Sequence, residues 1–288
     1  MLPIAPVTIL KLSGEEASEQ PDLLAVEEPL EIRLGFGPPD ERQQRSLSVT
    51  MRTPGHDEDL ALGFLLTEGI IYAPSQLLSL KHCTDAGRTE AGNIIRAELR
   101  PDVPVDWIRL QRNFYTSSSC GVCGKASIEA VYAVACPVLP TPEPWLSADL
   151  LGRLPAQLRQ HQAVFAHTGG LHAAALFDQT GKIVLLREDV GRHNALDKLL
   201  GAAARHGWWS LHRYGLLLSG RISFELVQKS LAAGLPALVA MGAPSSLAVQ
   251  LAESVGQTLV GFLREGRMNV YSGAGRVVVY LNQNLQDY

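Results

Sequence analysis

Apolar and polar residues alternate along Pro29-Leu-Glu-Ile-Arg-Leu34 and again along Arg45-Ser-Leu-Ser-Val-Thr-Met51. That period of two is the signature of strands with one face on a core. Gly35-Phe-Gly-Pro-Pro-Asp40 lies between them, so the pair predicts a hairpin with a long loop. From Thr53 the pattern changes to turn residues, then Asp57-Glu-Asp59, then an apolar run to Gly69. Acidic side chains suit a first helical turn, where they face unpaired amides, and the run predicts a helix of about ten residues ending near Gly69. Asn93 to Arg100 predicts a further strand, whereas Leu77 to Arg88 fits more than one element.

Further along, short apolar strands alternate with amphipathic helices. The strands are Lys182–Arg187, Tyr214–Gly220, Ala237–Met241, Thr258–Leu263 and Val277–Leu281. The helices are Ala148–His161 with Ser147 as cap, Asn194–Ala204, Ser223–Ala233 and Ser246–Val255. This alternation implies an α/β domain over 116–288. A smaller α+β domain over 23–115 precedes it, with the boundary near the prolines of Pro101 to Trp107. Residues 1–22, mixing Pro, Ser and acids, read as a flexible leader.

The 288 residues are 46% hydrophobic and 19% charged, the balance of a globular chain. A formal charge of -4 with a pI near 6.1 supplies no global positive field for nucleic acid or an anionic membrane. No basic leader precedes the short, Pro-broken N-terminal apolar run, and no stretch of roughly 20 apolar residues follows, so the expected location is the cytoplasm. The four cysteines, Cys83, Cys120, Cys123 and Cys136, fit a reducing compartment.

Cys120-Gly-Val-Cys123 is the sharpest local feature. Its spacing suits a redox pair, half of a zinc site or a persulfide carrier with a second thiol beside it, and ordinary core cysteines remain a fourth reading. Arg187-Glu-Asp-Val-Gly-Arg-His-Asn194 follows a strand and enters a helix, so Glu188, Asp189, Arg192, His193 and Asn194 would crowd a strand's carboxyl edge. Structurally, Asn194 would cap the helix and Asp189 would pair with Arg192. Ser219-Gly-Arg221 and Met241-Gly-Ala-Pro-Ser-Ser246 are strand, Gly turn and helix-start sequences suited to anions, or the former merely caps its helix and solvates its end. Phe262-Leu-Arg-Glu-Gly-Arg267 could clamp phosphates through Arg264 and Arg267, or be a solvated hairpin turn. His167-Thr-Gly-Gly-Leu-His172 adds two imidazoles. The His-x-Glu and Pro-Cys-x-x-Cys pair of a zinc deaminase is absent from the sequence.

In order, Arg52-Thr-Pro-Gly-His-Asp-Glu-Asp-Leu-Ala-Leu-Gly-Phe-Leu65, Ser118-Ser-Cys-Gly-Val-Cys-Gly-Lys125, His167 to His172, Arg187 to Lys198, Ser219-Gly-Arg221 and Gly266-Arg-Met-Asn-Val-Tyr271 resemble the FdhD/NarQ family of formate dehydrogenase accessory sulfurtransferases. The resemblance runs from about Glu28 to Gly273 and implies a larger, cytidine-deaminase-like three-layer α/β domain. It implies a sulfurtransferase that takes persulfide sulfur from a cysteine desulfurase. The sulfur goes to the bis-molybdopterin guanine dinucleotide molybdenum cofactor, bound as substrate, for the catalytic subunit of formate dehydrogenase. Cys120 is then the persulfide carrier, with Cys123 its partner, and Phe262, Leu263, Arg264, Glu265, Gly266 and Arg267 form the cofactor stretch. Arg221 and His193 join them, no permanent metal is implied, and the expected assembly is a homodimer. The runner-up is a molybdenum cofactor insertion chaperone without turnover.

Overall fold

A computed structural model describes residues 2–83, 91–107, 110, 139 and 143–278. The chain divides into two compact units: 1–136, 162–174 and 187–209 form the first, and 137–161, 175–186 and 210–288 the second. The division is therefore not a single cut near residue 115, because two later segments return to the first unit.

The first unit opens with a hairpin of β1 (Ile4–Ser13) and β2 (Glu16–Ala25), paired antiparallel along their whole length. The segment read as a flexible leader is thus ordered. Gly14 at φ +63° makes the turn, and backbone pairing holds strands whose side chains are mostly exposed. A four-stranded sheet follows, in the order β4 (Gln43–Arg52), β3 (Glu28–Phe36), β6 (Ile94–Leu99), β5 (Leu77–His82). β3 and β4 form the hairpin expected from their alternation, β3 runs parallel to β6, and β5 is antiparallel to β6. Leu30, Ile32 and Leu34 of β3 and Ile95, Ala97 and Leu99 of β6 enter one buried cluster.

Helix α1 (Asp57–Thr67) contributes Leu60, Leu65 and Leu66 to that cluster. Buried residues run almost continuously along α1, as expected of a helix covered on more than one side. α4 (Arg192–Arg205) packs along it. Gly63 and Gly201 make the crossing tight: a Cβ on Gly63 would stand 1.8 Å from the Asp197 carbonyl oxygen, and one on Gly201 1.9 Å from that of Asp59.

A six-stranded sheet, all but residues 172–174 and 187–189 of which belong to the second unit, has the order β13 (Arg267–Ser272), β12 (Thr258–Arg264), β11 (Ala237–Ala240), β10 (Gly215–Leu218), β8 (His172–Phe177), β9 (Ile183–Asp189). β10, β11 and β12 are parallel neighbours, and β13 turns back antiparallel at the edge. Every residue of β10 and β11 is buried, which explains their unbroken apolar sequences. α5 (Phe224–Ala232) and α6 (Ser246–Val255) connect the parallel strands. α2 (Ala148–His161) packs against β12, and its start is capped as expected by Ser147 Oγ, which accepts from Leu150 N at 3.0 Å. Two short strands, β7 (Leu146–Ser147) and β14 (Val277–Val278), pair in parallel. α3 (Ala163–Thr168) belongs to the first unit and lies against β2.

Candidate functional site

In the second unit, the turns that leave β10 and β11 are fastened to each other. Met241 N donates to Leu218 O at 3.0 Å, Gly242 N to Gly220 O at 3.1 Å, Ile222 N to Ala243 O at 3.0 Å and Ser245 N to Ile222 O at 3.0 Å. A Cβ on Gly242 would lie 2.6 Å from Gly220 O, so the two turns meet this closely only because position 242 has no side chain. These are the two Gly-containing turns whose residue types suggested anion binding, and both sit at the carboxyl ends of parallel strands. Ser245 Oγ caps α6 by accepting from Ala248 N at 3.3 Å, whereas Ser223 makes no such cap for α5.

The next strand joins the same edge through an irregularity. Pairing of β12 with β13 shifts register between Gly261 and Arg264, and there Phe262 adopts φ +52°, a costly conformation for an aromatic residue. Its N–H turns from β13 and donates to Gly242 O at 3.1 Å, leaving the ring 45% exposed. Arg264 Nη1 donates to Met241 O and to Leu263 O, each at 2.7 Å. Gly266 at φ +72° closes the hairpin. Phe262, Arg264, Arg267, Met268 and Asn269 line a cavity of about 320 Å³. Two guanidinium groups beside an exposed ring on a pinned backbone can hold an anionic ligand that carries a planar group.

The structure thus brings together Phe262, Arg264 and Arg267, while Glu265 and Gly266 are exposed at the hairpin tip. Leu263 is 0% exposed, so its side chain belongs to the core. Arg221 stands exposed on the neighbouring β10 turn and has no side-chain hydrogen bond or ion pair among the described residues. Met268 and Asn269, quoted within the Gly266 to Tyr271 motif but given no role there, also line the cavity, on the strand that follows the Gly turn. The hairpin reading and the clamp reading of this stretch are compatible, because the cavity lies on the hairpin itself.

His193 belongs to the first unit, in a motif that proves largely architectural. Asp189 is 0% exposed and pairs with Lys198, 1% exposed, at 2.7 Å. The expected Asp189–Arg192 pair therefore gives way to a partner one helical turn and a half further on. Asp189 also accepts from Thr53 N at 3.2 Å, Gly191 N at 2.8 Å and Asn194 Nδ2 at 3.2 Å, and Lys198 Nζ donates to Thr53 O at 2.7 Å. Asn194 is not the cap of α4, a place taken by Gly191. Its amide instead reaches Met51 O at 2.7 Å. His193 is half-buried at the second position of the helix. Around this core, Asp59 receives Arg187 at 2.8 Å and Arg205 at 3.1 Å, and Glu188 accepts the Val164 and Phe165 amides at 3.1 and 3.0 Å. His167 is exposed on α3 and His172 half-buried at the start of β8.

A smaller cavity of the first unit, about 240 Å³, is lined by Arg52, Pro54, His56, Asp57 and His82. Arg52 is 0% exposed and grips Asp57 through two bonds of 3.0 Å. His56 precedes α1 at φ 56°, and burial, reinforced by the positive charge of Arg187, holds its pKa below the ordinary 6.5. Cys120 and Cys123 lie outside the described residues, as does Cys136. Cys83 is half-buried with a free thiol.

Fold and cavity together define a mixed α/β protein, with several sheets and six helices among the described residues, that carries an arginine-lined cavity. The chain belongs to the FdhD/NarQ family, whose model matches residues 25–278. It is 49% identical over 276 residues to a sulfur carrier protein FdhD of Streptomyces coelicolor, covering 94% of each chain. To the protein of the same name from Nocardia farcinica it is 50% identical over 273 residues, covering 93% of each. The Mycobacterium tuberculosis protein of that name is 48% identical, with 92% of this chain and 95% of the relative covered. The fold is shared with a crystal structure described as that of a formate dehydrogenase accessory protein from Desulfotalea psychrophila. The TM-score is 0.71 at 22% identity, over 96% of this chain and 99% of that one.

Proposed function

We propose that this protein is a sulfurtransferase of formate dehydrogenase maturation, working through a cysteine persulfide on Cys120. The observation that carries the reading is the cavity of Phe262, Arg264 and Arg267, which coincides with the stretch expected to hold the molybdenum cofactor. The printed names of the similar proteins, sulfur carriers, agree with it. A bis-molybdopterin guanine dinucleotide carries pyrophosphates and guanines. Arg264, Arg267 and Arg221 supply charge for the first, and the exposed Phe262 ring a stacking face for the second.

In the proposed transfer, the Cys120 thiolate attacks the outer sulfur of a cysteine desulfurase persulfide and releases the desulfurase thiolate. Once the cofactor is bound, attack by the Cys123 thiolate on the inner sulfur of the Cys120 persulfide forms a Cys120–Cys123 disulfide and releases hydrosulfide to molybdenum, with Cys123 supplying the electron pair. The cofactor is substrate throughout, and formate dehydrogenase receives it. The reading takes the larger domain as cytidine-deaminase-like and the working form as a cytoplasmic homodimer.

Binding of the isolated cofactor to the wild type and to an Arg264→Ala, Arg267→Ala double variant tests the clamp. The double variant should bind at least about tenfold more weakly, from the loss of charge-assisted hydrogen bonds. Unchanged affinity would refute the clamp. A protein that binds cofactor and supports formate dehydrogenase while never carrying sulfur would instead be an insertion chaperone.

A further inference from the structure

On the outward face of the four-stranded sheet in the first unit, three basic residues share one cross-strand row. Arg33 of β3 stands opposite Arg96 of β6, and Arg96 opposite Lys81 of β5. Like charges directly opposite each other destabilise a sheet. Two carboxylates compensate in part: Arg33 pairs with Glu31 at 2.7 Å and Arg96 with Glu98 at 2.7 Å, while Glu98 is shared with Arg42. Among the described residues, four cations thus face two carboxylates in these pairs, and the Lys81 side chain has no hydrogen bond or ion pair. The chain as a whole carries -4, so the excess is local. The row floors a concavity of about 260 Å³, to whose walls Gln44, Ser79 and Cys83 add hydrogen-bonding groups and a thiol.

We infer that this concavity binds a phosphate-type dianion, a site separate in sequence and chemistry from the hairpin cavity assigned to the cofactor. A tetrahedral anion offers oxygens in several directions, which suits a guanidinium fork and an ammonium approaching from adjacent strands. Its charge turns the repulsion along the row into attraction to a common centre, which gives the alignment of Arg33, Arg96 and Lys81 a purpose that sheet packing does not. Gln44 and Ser79 supply neutral donors for the remaining oxygens. The site needs neither persulfide chemistry nor the molybdenum cofactor.

Cys83 serves as the reporter, because it lines the concavity and its thiol is free. The full-length protein is treated with limiting N-ethylmaleimide in inorganic phosphate or in chloride at matched ionic strength. Peptide mass spectrometry then separates Cys83 labelling from that of Cys120, Cys123 and Cys136. Phosphate at ten times its dissociation constant should slow labelling of Cys83 about tenfold, by occupancy. The Lys81→Gln, Arg96→Gln double variant should lose that protection while melting no lower than wild type in chloride, since repulsion has been removed. Equal protection by chloride, or undiminished protection of the double variant, would overturn the proposal. If the double variant fails to fold, Lys81→Gln alone is held to the same criterion.

Discussion

Replacing Gly201 by alanine tests how α1 and α4 meet. Alanine favours a helix interior over glycine by about 1 kcal/mol, so on local grounds the change should stabilise. The structure opposes this, because the new Cβ would lie 1.9 Å from Asp59 O and 2.8 Å from Gly63 N. Both neighbours are backbone, and no flexible side chain can swing aside. To reach the 3.4 Å of ordinary contact, the helices must separate by 1.5 Å along that line. A radial gap of only about 1 Å already forfeits up to half of the dispersion attraction between facing atoms. The Arg205–Asp59 bond of 3.1 Å spans the same crossing and would be stretched with it. Overpacking of about 3 kcal/mol or more, less the helix gain, leaves a net destabilisation of about 2 kcal/mol. The control is Gly152→Ala in α2, where the nearest atom is 3.7 Å away, so only the helix gain of about 0.5–1 kcal/mol should appear. Urea titrations followed by far-UV circular dichroism compare the two with wild type. A Gly201→Ala protein as stable as the Gly152→Ala control would refute the backbone crossing.

Breaking the Asp189–Lys198 pair by Asp189→Asn or Lys198→Met should cost about 3–5 kcal/mol each, because either leaves a buried charge without its partner. In a double-mutant cycle the combined loss should fall well short of the sum, and simple additivity would show that the pair is not coupled. His56 has a folded pKa below its unfolded value of 6.5, so the unfolded chain binds the additional proton. Its contribution is complete above 6.5 and is lost as pH falls through 6.5 toward the lower folded value. His56→Asn, which tolerates the left-handed backbone, should flatten that part of the stability profile, and an identical slope would contradict the assignment.

What the sequence revealed depended on how local the cause was. The β3–β4 hairpin follows from alternation, and the α1 boundary from acids at Asp57 to Asp59 and a helix-ending Gly69 at φ +66°. The β1–β2 hairpin was missed because Glu16-Ala-Ser-Glu-Gln-Pro21 has poor strand propensity and nearly all of β2 is exposed. The available clue was Gly14 following the apolar-rich Ile4 to Leu12 run. Chemistry shows the same contrast. Arg264, Arg267 and Phe262 are neighbours in sequence and meet in one cavity, whereas the partner of Asp189 depends on a helix and strand folding together with Thr53, more than a hundred residues earlier. A lysine and glycine inside the apolar stretch Leu196-Asp-Lys-Leu-Leu-Gly201 were the visible trace of that packing. Leu263 reads as a site residue by its neighbours, yet strand alternation directs its side chain into the core.

The central claim, sulfur carried on Cys120, is tested most directly by intact-mass analysis after incubation with a cysteine desulfurase and cysteine. Wild type is compared with Cys120→Ala and Cys123→Ala. A gain of one sulfur, roughly 32 Da and removed by a thiol reductant, is expected for wild type and Cys123→Ala and not for Cys120→Ala. No gain on reduced wild-type protein, or a gain that persists in Cys120→Ala, would contradict the account.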